Sequence, residues 1–207
     1  MVRDPALWIG HSVRLHLPTR DMPVLFFAEI MNLTPIIPAL AVGVAVCAAI
    51  SDVKTRRIPN RLTYPALLAG VLLQGALNGW HGLLRSMGGG LIFGGVFMLC
   101  YLVRAMGAGD VKLAAALGCI VGSAATAQVM FATALAGGAL AVIFMVLSRR
   151  VIETLRNTLR VAGFHALHGL QVHPTVNLDN PAAVRMPYGL AFAVGTFCWA
   201  VLLYRGR

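Results

Sequence analysis

Of the seven acidic residues in this 207-residue sequence, two stand at the ends of long apolar stretches. Asp52 closes the stretch Pro35–Ser51, and Asp110 follows Gly107-Ala108-Gly109 just ahead of Leu113–Gly122. An ionisable group at membrane depth is costly and points to function by default. Two carboxyl groups sharing one proton hydrolyse a peptide bond without a metal or a nucleophilic side chain. The ionised one takes a proton from water and the protonated one polarises the scissile carbonyl. Like charges a few ångströms apart cannot both ionise, so such a pair titrates as a unit. Either aspartate alone has an ordinary use. Asp52 serves as a helix-end residue in a charged loop, and Asp110 as an N-cap satisfying free backbone N–H groups. It is the pair, in a chain so poor in acids, that suggests aspartic hydrolysis. A small proton-coupled transporter or channel using the same aspartates as a relay is the alternative. A relay spreads its acids along a path, whereas these two are expected at one face.

That expectation comes from the elements that carry them. The chain is 58% hydrophobic and 12% charged, with a mean hydropathy of +0.79. It has too little polar surface to keep an apolar core in water, so the expected solvent is lipid and the expected fold class is an all-α, polytopic membrane bundle. A spanning helix needs about 20 largely apolar residues. Pro35–Ser51, Leu62–Gly79, Met87–Val103, Leu113–Gly122, Val129–Leu147 and Met186–Tyr204 give about six spans, the fourth either of half length or continued through Ser123–Gln128. Trp80–Ser86 reads as a short polar turn. Between Asp52 and Asp110 the chain crosses twice, which returns both to the same side. With Asp52–Arg61 inside, the inner segments hold eleven of the seventeen Lys and Arg residues, in keeping with positive inner loops. Residues 1–34 are a separate N-terminal leader, with Met22 and Met31 as alternative starts. Residues 35–207 are the membrane domain, with a hydrophilic cytoplasmic loop over 148–185.

Other chemistries have less support. The net charge of +10 sits in short clusters between apolar stretches, which argues against nucleic acid as a partner. Cys47, Cys100, Cys119 and Cys198 lie inside apolar stretches and form no C-x-x-C pair, so they read as small core residues. His165, His168 and His173 have only Asp179 as an acidic neighbour and lack the i, i+4 spacing of a helical zinc site, so neither metal nor cofactor is expected. No G-x-S-x-G turn is present. Gly88, Gly89, Gly90, Gly94, Gly95, Gly137 and Gly138 suit close helix packing in lipid. Gly107 and Gly109 disfavour helix continuation before Asp110 and leave room there for an extended peptide.

Three stretches carry a family likeness. Asp52-Val53-Lys54-Thr55-Arg56-Arg57-Ile58-Pro59-Asn60 resembles the first aspartate motif of prepilin peptidases. Gly107-Ala108-Gly109-Asp110-Val111-Lys112-Leu113 is similar to their G-x-G-D motif, and Met186-Pro187-Tyr188-Gly189 to the Pro-aromatic-Gly element opening their last helix. The resemblance implies a bacterial inner-membrane endopeptidase that removes the basic leader of type IV prepilins and pseudopilins on the cytoplasmic side. Asp52 and Asp110 match the catalytic aspartates. Lys54, Asn60, Lys112, Pro187 and Gly189 match motif positions expected to bind substrate or support the site. Snorkelling to headgroups is the plain use for both lysines. Without a cysteine-rich cytoplasmic domain, the sequence looks like the short form serving Flp or tight-adherence pili. A presenilin-type protease shares G-x-G-D but is expected to carry Pro-Ala-Leu where this chain has Pro187-Tyr188-Gly189. A non-catalytic assembly factor descended from a peptidase stays open on sequence, although both aspartates are kept.

Overall fold

The computed structural model describes residues 35–148, 151–169 and 186–206. The leader over 1–34, together with Arg149, Arg150, His173, Asp179 and Arg185, lies outside the described residues. All regular structure among the described residues is helical: α1 Ile36–Thr55, α2 Asn60–Leu102, α3 Ala108–Leu147, α4 Val151–His168 and α5 Tyr188–Arg205. Four of these, α1, α2, α3 and α5, are long and apolar enough to cross a membrane. Large side chains face outward on them, with Leu91 74% and Phe131 66% exposed, which lipid accommodates and water does not. The chain is a multi-pass membrane protein.

Among the described residues there are four continuous membrane-length helices, two of them of double length, so the expected number of about six spans depends on whether those two run straight. At 1.5 Å per residue, a straight 43-residue α2 would run about 64 Å, twice a ~30 Å hydrocarbon core. It does not stay straight. Gly79 adopts φ 59°, ψ −143°, and Gly122 in α3 adopts φ 75°, ψ 164°, both open to glycine and strained for other residues. The chain reverses at each. Gln74 Nε2 donates to the Ile120 carbonyl at 2.9 Å and Ser86 Oγ to the Cys119 carbonyl at 2.8 Å. Twelve residues of straight helix would hold Gln74 and Ser86 about 18 Å apart, yet they bond to neighbouring carbonyls. In the second half of α3, Gln128 pairs with Trp199 and Gly137 lies against Ala191, so this arm runs antiparallel to α5. The turn thus falls at Gly79, and Trp80–Ser86 is helical where a polar turn is expected from sequence. The first arm of α3, over 108–121, is of half length, and helix resumes through 123–128 after the break at Gly122, so both readings of that segment hold in part. The expected loop over 148–185 instead contains a helix, α4.

Packing uses small residues and aromatics. The buried stripe of α1 is Ile37, Ala41, Val44, Ala45, Ala48, Ala49 and Asp52, a helical period of mostly alanines that lets α5 come close. Gly89, Gly90 and Gly94 face the backbone or short side chains of α3, as close packing requires, whereas Gly95 and Gly138 have open space. Of the four cysteines, only Cys119 is buried, while Cys47 and Cys198 are exposed, so the core role expected from their apolar surroundings holds for one. Phe93, Phe97 and Phe192 form a cluster with ring centroids 5.1–5.8 Å apart, locking the start of α5 against α2.

The break at Gly122 frees helix carbonyls in an apolar interior, where each costs free energy unless bonded. Gln74 and Ser86, both buried, and Thr126, whose Oγ1 donates to Gly122 O at 2.8 Å, satisfy carbonyls there. Gln74→Leu should therefore lower stability by about 1–3 kcal/mol. Gly122→Ala should cost at least as much, since its backbone lies in a glycine-only region and Gln74 Nε2 sits 3.1 Å from a Cβ there. Thermal unfolding in detergent followed by Trp fluorescence would check both. Midpoints equal to the parent's would refute the role given to these carbonyl bonds.

Candidate active site

Each aspartate sits where a helix begins or ends. The helix α1 stops at Thr55 because Arg56 turns into the left-handed region at φ 53°, its N–H still donating to Asp52 O at 2.8 Å. Pro59 then holds Ile58 out of helical geometry. Without a glycine at this turn, hydroxyls secure it: Ser51 Oγ and Thr55 Oγ1 each donate to Arg57 O at 3.1 Å. Asp52 consequently lies on the buried face of the last turn, 8% exposed, instead of in the basic loop that follows.

What Asp52 meets there comes from the other end of the chain. Pro187 is buried and starts α5, and the next N–H but one, that of Gly189, donates to Asp52 Oδ2 at 2.8 Å. A helix N-terminus presents unpaired N–H groups and a partial positive charge, so a carboxylate is well placed there. Gly189 has to be glycine for this contact. A Cβ would stand 2.9 Å from Asp52 Cβ, 3.0 Å from Ala49 Cα and 3.1 Å from Asp52 Oδ2.

Asp110 is held by the same logic within its own motif. Gly107 is extended (φ −81°, ψ 152°) and its N–H donates to Asp110 Oδ2 at 3.1 Å, while Asp110 N–H donates back to Gly107 O at 3.1 Å. This is the carboxylate half of a capping box. The N-cap is glycine and has no side chain to complete the other half, so Asp110 is the third residue of the helix, not the N-cap foreseen as its plain use. Gly109 packs on Ile58, with a Cβ position 3.2 Å from Ile58 Cβ, which brings the Asp110 turn against the turn after Asp52. The two carboxyl groups are close enough to interact electrostatically.

The supporting residues divide. Lys112 Nζ donates to Asn60 Oδ1 at 2.9 Å and lies 5.1 Å from the centre of the Tyr64 ring. Lys112 and Asn60 therefore tie the start of α3 to the first turn of α2. Lys54 is exposed in the last turn of α1, where a cation complements the helix dipole. Tyr188, half-buried, is near enough to Asp110 to feel its charge, and the next residue, Gly189, bonds Asp52, so the first turn of α5 faces both aspartates. Neither Tyr188 nor Ile58 was singled out individually by sequence reasoning, although each sits inside one of the three motifs. His165 and His168 fall in α4, away from these contacts in sequence.

Comparisons with known proteins bear on the same residues. The model of the type IV leader peptidase family matches residues 39–142, a stretch containing Asp52 and Asp110. Prepilin leader peptidase/N-methyltransferases of Burkholderia pseudomallei strains 1026b and K96243 are each 36% identical over 100 residues, covering 44% of this chain and 32% of theirs. The matched stretch thus spans about a third of the length of these curated relatives. No solved structure matches the chain. With half of its 207 residues aligned to the family, and with both aspartate motifs inside the aligned half, the chain belongs to the type IV leader peptidase family.

Proposed function

We propose that this protein is an aspartic endopeptidase of the bacterial inner membrane. It cleaves the leader peptide of type IV (Flp-like) prepilins and pseudopilins at the cytoplasmic face, with Asp52 and Asp110 as its catalytic pair. The observation that carries this reading is the convergence of two carboxyl groups, 58 positions apart, at one end of the bundle, each anchored by a glycine N–H. Their shared end is also where the basic segments Lys54–Arg61 and Arg104–Lys112 lie in sequence, which favours a cytoplasmic orientation.

In this mechanism each aspartate has Oδ2 fixed by a backbone N–H, and Oδ1 meets the reacting water. The ionised carboxylate takes a proton from water as its oxygen attacks the scissile carbonyl carbon. The protonated carboxyl group donates toward the carbonyl oxygen. The C–N bond then breaks and the departing amine takes up a proton, which returns the pair to its singly protonated state. Gly107 and Gly109 leave the backbone beside Asp110 low, suited to an extended peptide. Lys112 and Asn60 hold the two turns in register and move no proton.

Asp52→Asn and Asp110→Asn should each reduce cleavage of a co-expressed prepilin by at least ~10²-fold while the protein still inserts, the scale expected for loss of a general acid or base. Leader removal read by a gel shift of the prepilin would decide it, and normal processing by either variant would remove the pair mechanism. A proton relay would instead lose proton flux in the same variants and leave prepilin uncut in the parent. Gly189→Ala should lower turnover with Asp52 intact, because the added carbon displaces the donor that positions that carboxylate. Lys112→Ala should be milder than any of these in the same assay.

A further inference from the structure

Helix α4 does not belong to the apolar bundle, and nothing in the proposed chemistry uses it. It is 18 residues long, about 27 Å, and is strongly two-sided. At 100° per residue, Val151, Ile152 and Leu159 fall within one arc of about 100°, and Arg156 and Arg160 flank that arc on one side. The apolar residues are not covered by the protein: Ile152 is 84% and Leu159 65% exposed. Helix α4 is not among the helices apolar enough to cross a membrane, and Arg156 and Arg160 would each oppose insertion at the bilayer centre.

Its position is set by what precedes it. The second arm of α3 ends in exposed apolar residues, Val146 and Leu147, at the end of the bundle that carries Asp52, because this arm runs antiparallel to α5 and α5 begins at Asp52. Ser148, Arg149 and Arg150 separate Leu147 from Val151, a distance of at most ~14 Å fully extended. A polar headgroup layer is itself several ångströms thick, so α4 starts within or beside it. The charge fits such a surface. Between 149 and 160 there are four arginines, Arg149, Arg150, Arg156 and Arg160, against the single acid Glu153.

We propose that α4 is an interfacial helix lying on the membrane leaflet nearest the two aspartates. Its Val151–Ile152–Leu159 stripe sits at the acyl boundary and its arginines sit on anionic phospholipid headgroups. This rests on the membrane embedding of α1, α2, α3 and α5 and not on the peptidase reading, so it stands or falls separately.

The test uses the full chain reconstituted in vesicles of phosphatidylcholine with phosphatidylglycerol, the acyl chains brominated near the headgroup. An environment-sensitive fluorophore is placed at Ile152→Cys, Leu159→Cys or Asn157→Cys. Label on the exposed native Cys47 and Cys198 is measured in the unsubstituted chain and subtracted. Bromine should remove roughly half the emission at positions 152 and 159, since an interfacial stripe reaches ~5–10 Å into the headgroup–acyl boundary. Asn157, on the opposite side of the helix, should lose little. Replacing phosphatidylglycerol by phosphatidylcholine, or combining Arg156→Glu with Arg160→Glu, should restore emission at the stripe. Val151→Cys supplies another stripe position if one variant does not fold. Unquenched emission at the stripe overturns the assignment, whether the helix stands in water or is covered by a second chain. So does equal quenching of Asn157, or quenching indifferent to anionic lipid.

Discussion

A carboxylate shut away from water needs a donor, and for Asp52 that donor is a backbone N–H 137 positions away, at Gly189. Most of the architecture is arranged to permit that contact. The alanine stripe of α1 lets α5 approach, the missing side chain at Gly189 lets it arrive, and the Phe93–Phe97–Phe192 cluster holds it there. A buried carboxylate without a partner would be expensive enough to neutralise or to draw in water. Here the first turn of a helix supplies both the hydrogen bond and a favourable dipole. Asp110 is treated differently. Its donor is three residues away, inside its own motif, so the orientation of its carboxyl group is set locally, while Gly109 on Ile58 and Lys112 on Asn60 place the turn in the bundle.

That contrast separates what could be read from the residues from what could not. Parity along the apolar stretches placed both aspartates on one side, because a membrane-length segment must cross and the number of crossings fixes the side. The motif around Asp110 was legible for the same reason that its geometry is local: G-x-G-D contains its own donor. The Gly189–Asp52 bond had no local signal beyond the Pro-Tyr-Gly element, since pairing of distant helices leaves no periodicity in either. The position of Tyr188 against Asp110 was hidden in the same way.

The misread boundaries have physical causes too. Trp80–Ser86 carries His81 and Arg85 and so looks like a polar turn, but in a helix such side chains can point outward while the chain reverses at one residue, Gly79. A reversal needing a single left-handed glycine gives almost no compositional trace. Segment 148–185 reads as a loop because its average hydropathy is low, and averaging erases the one-sidedness that makes α4 a helix. The segment before Gly122 left two readings, half length or continuation through Ser123–Gln128, because a break at one glycine inside otherwise helical sequence favours neither.

The separation in sequence between Asp52 and its donor has a consequence for biogenesis. α2 and α3 are hairpins whose arms adjoin along the chain, so their closure loses little chain entropy and precedes the joining of remote segments. The α1–α5 union comes after both, and α5 is translated after the other described helices. A nascent chain therefore carries both acids for some time without a finished centre. Asp52 therefore gains its backbone donor only when the closing helix has been made.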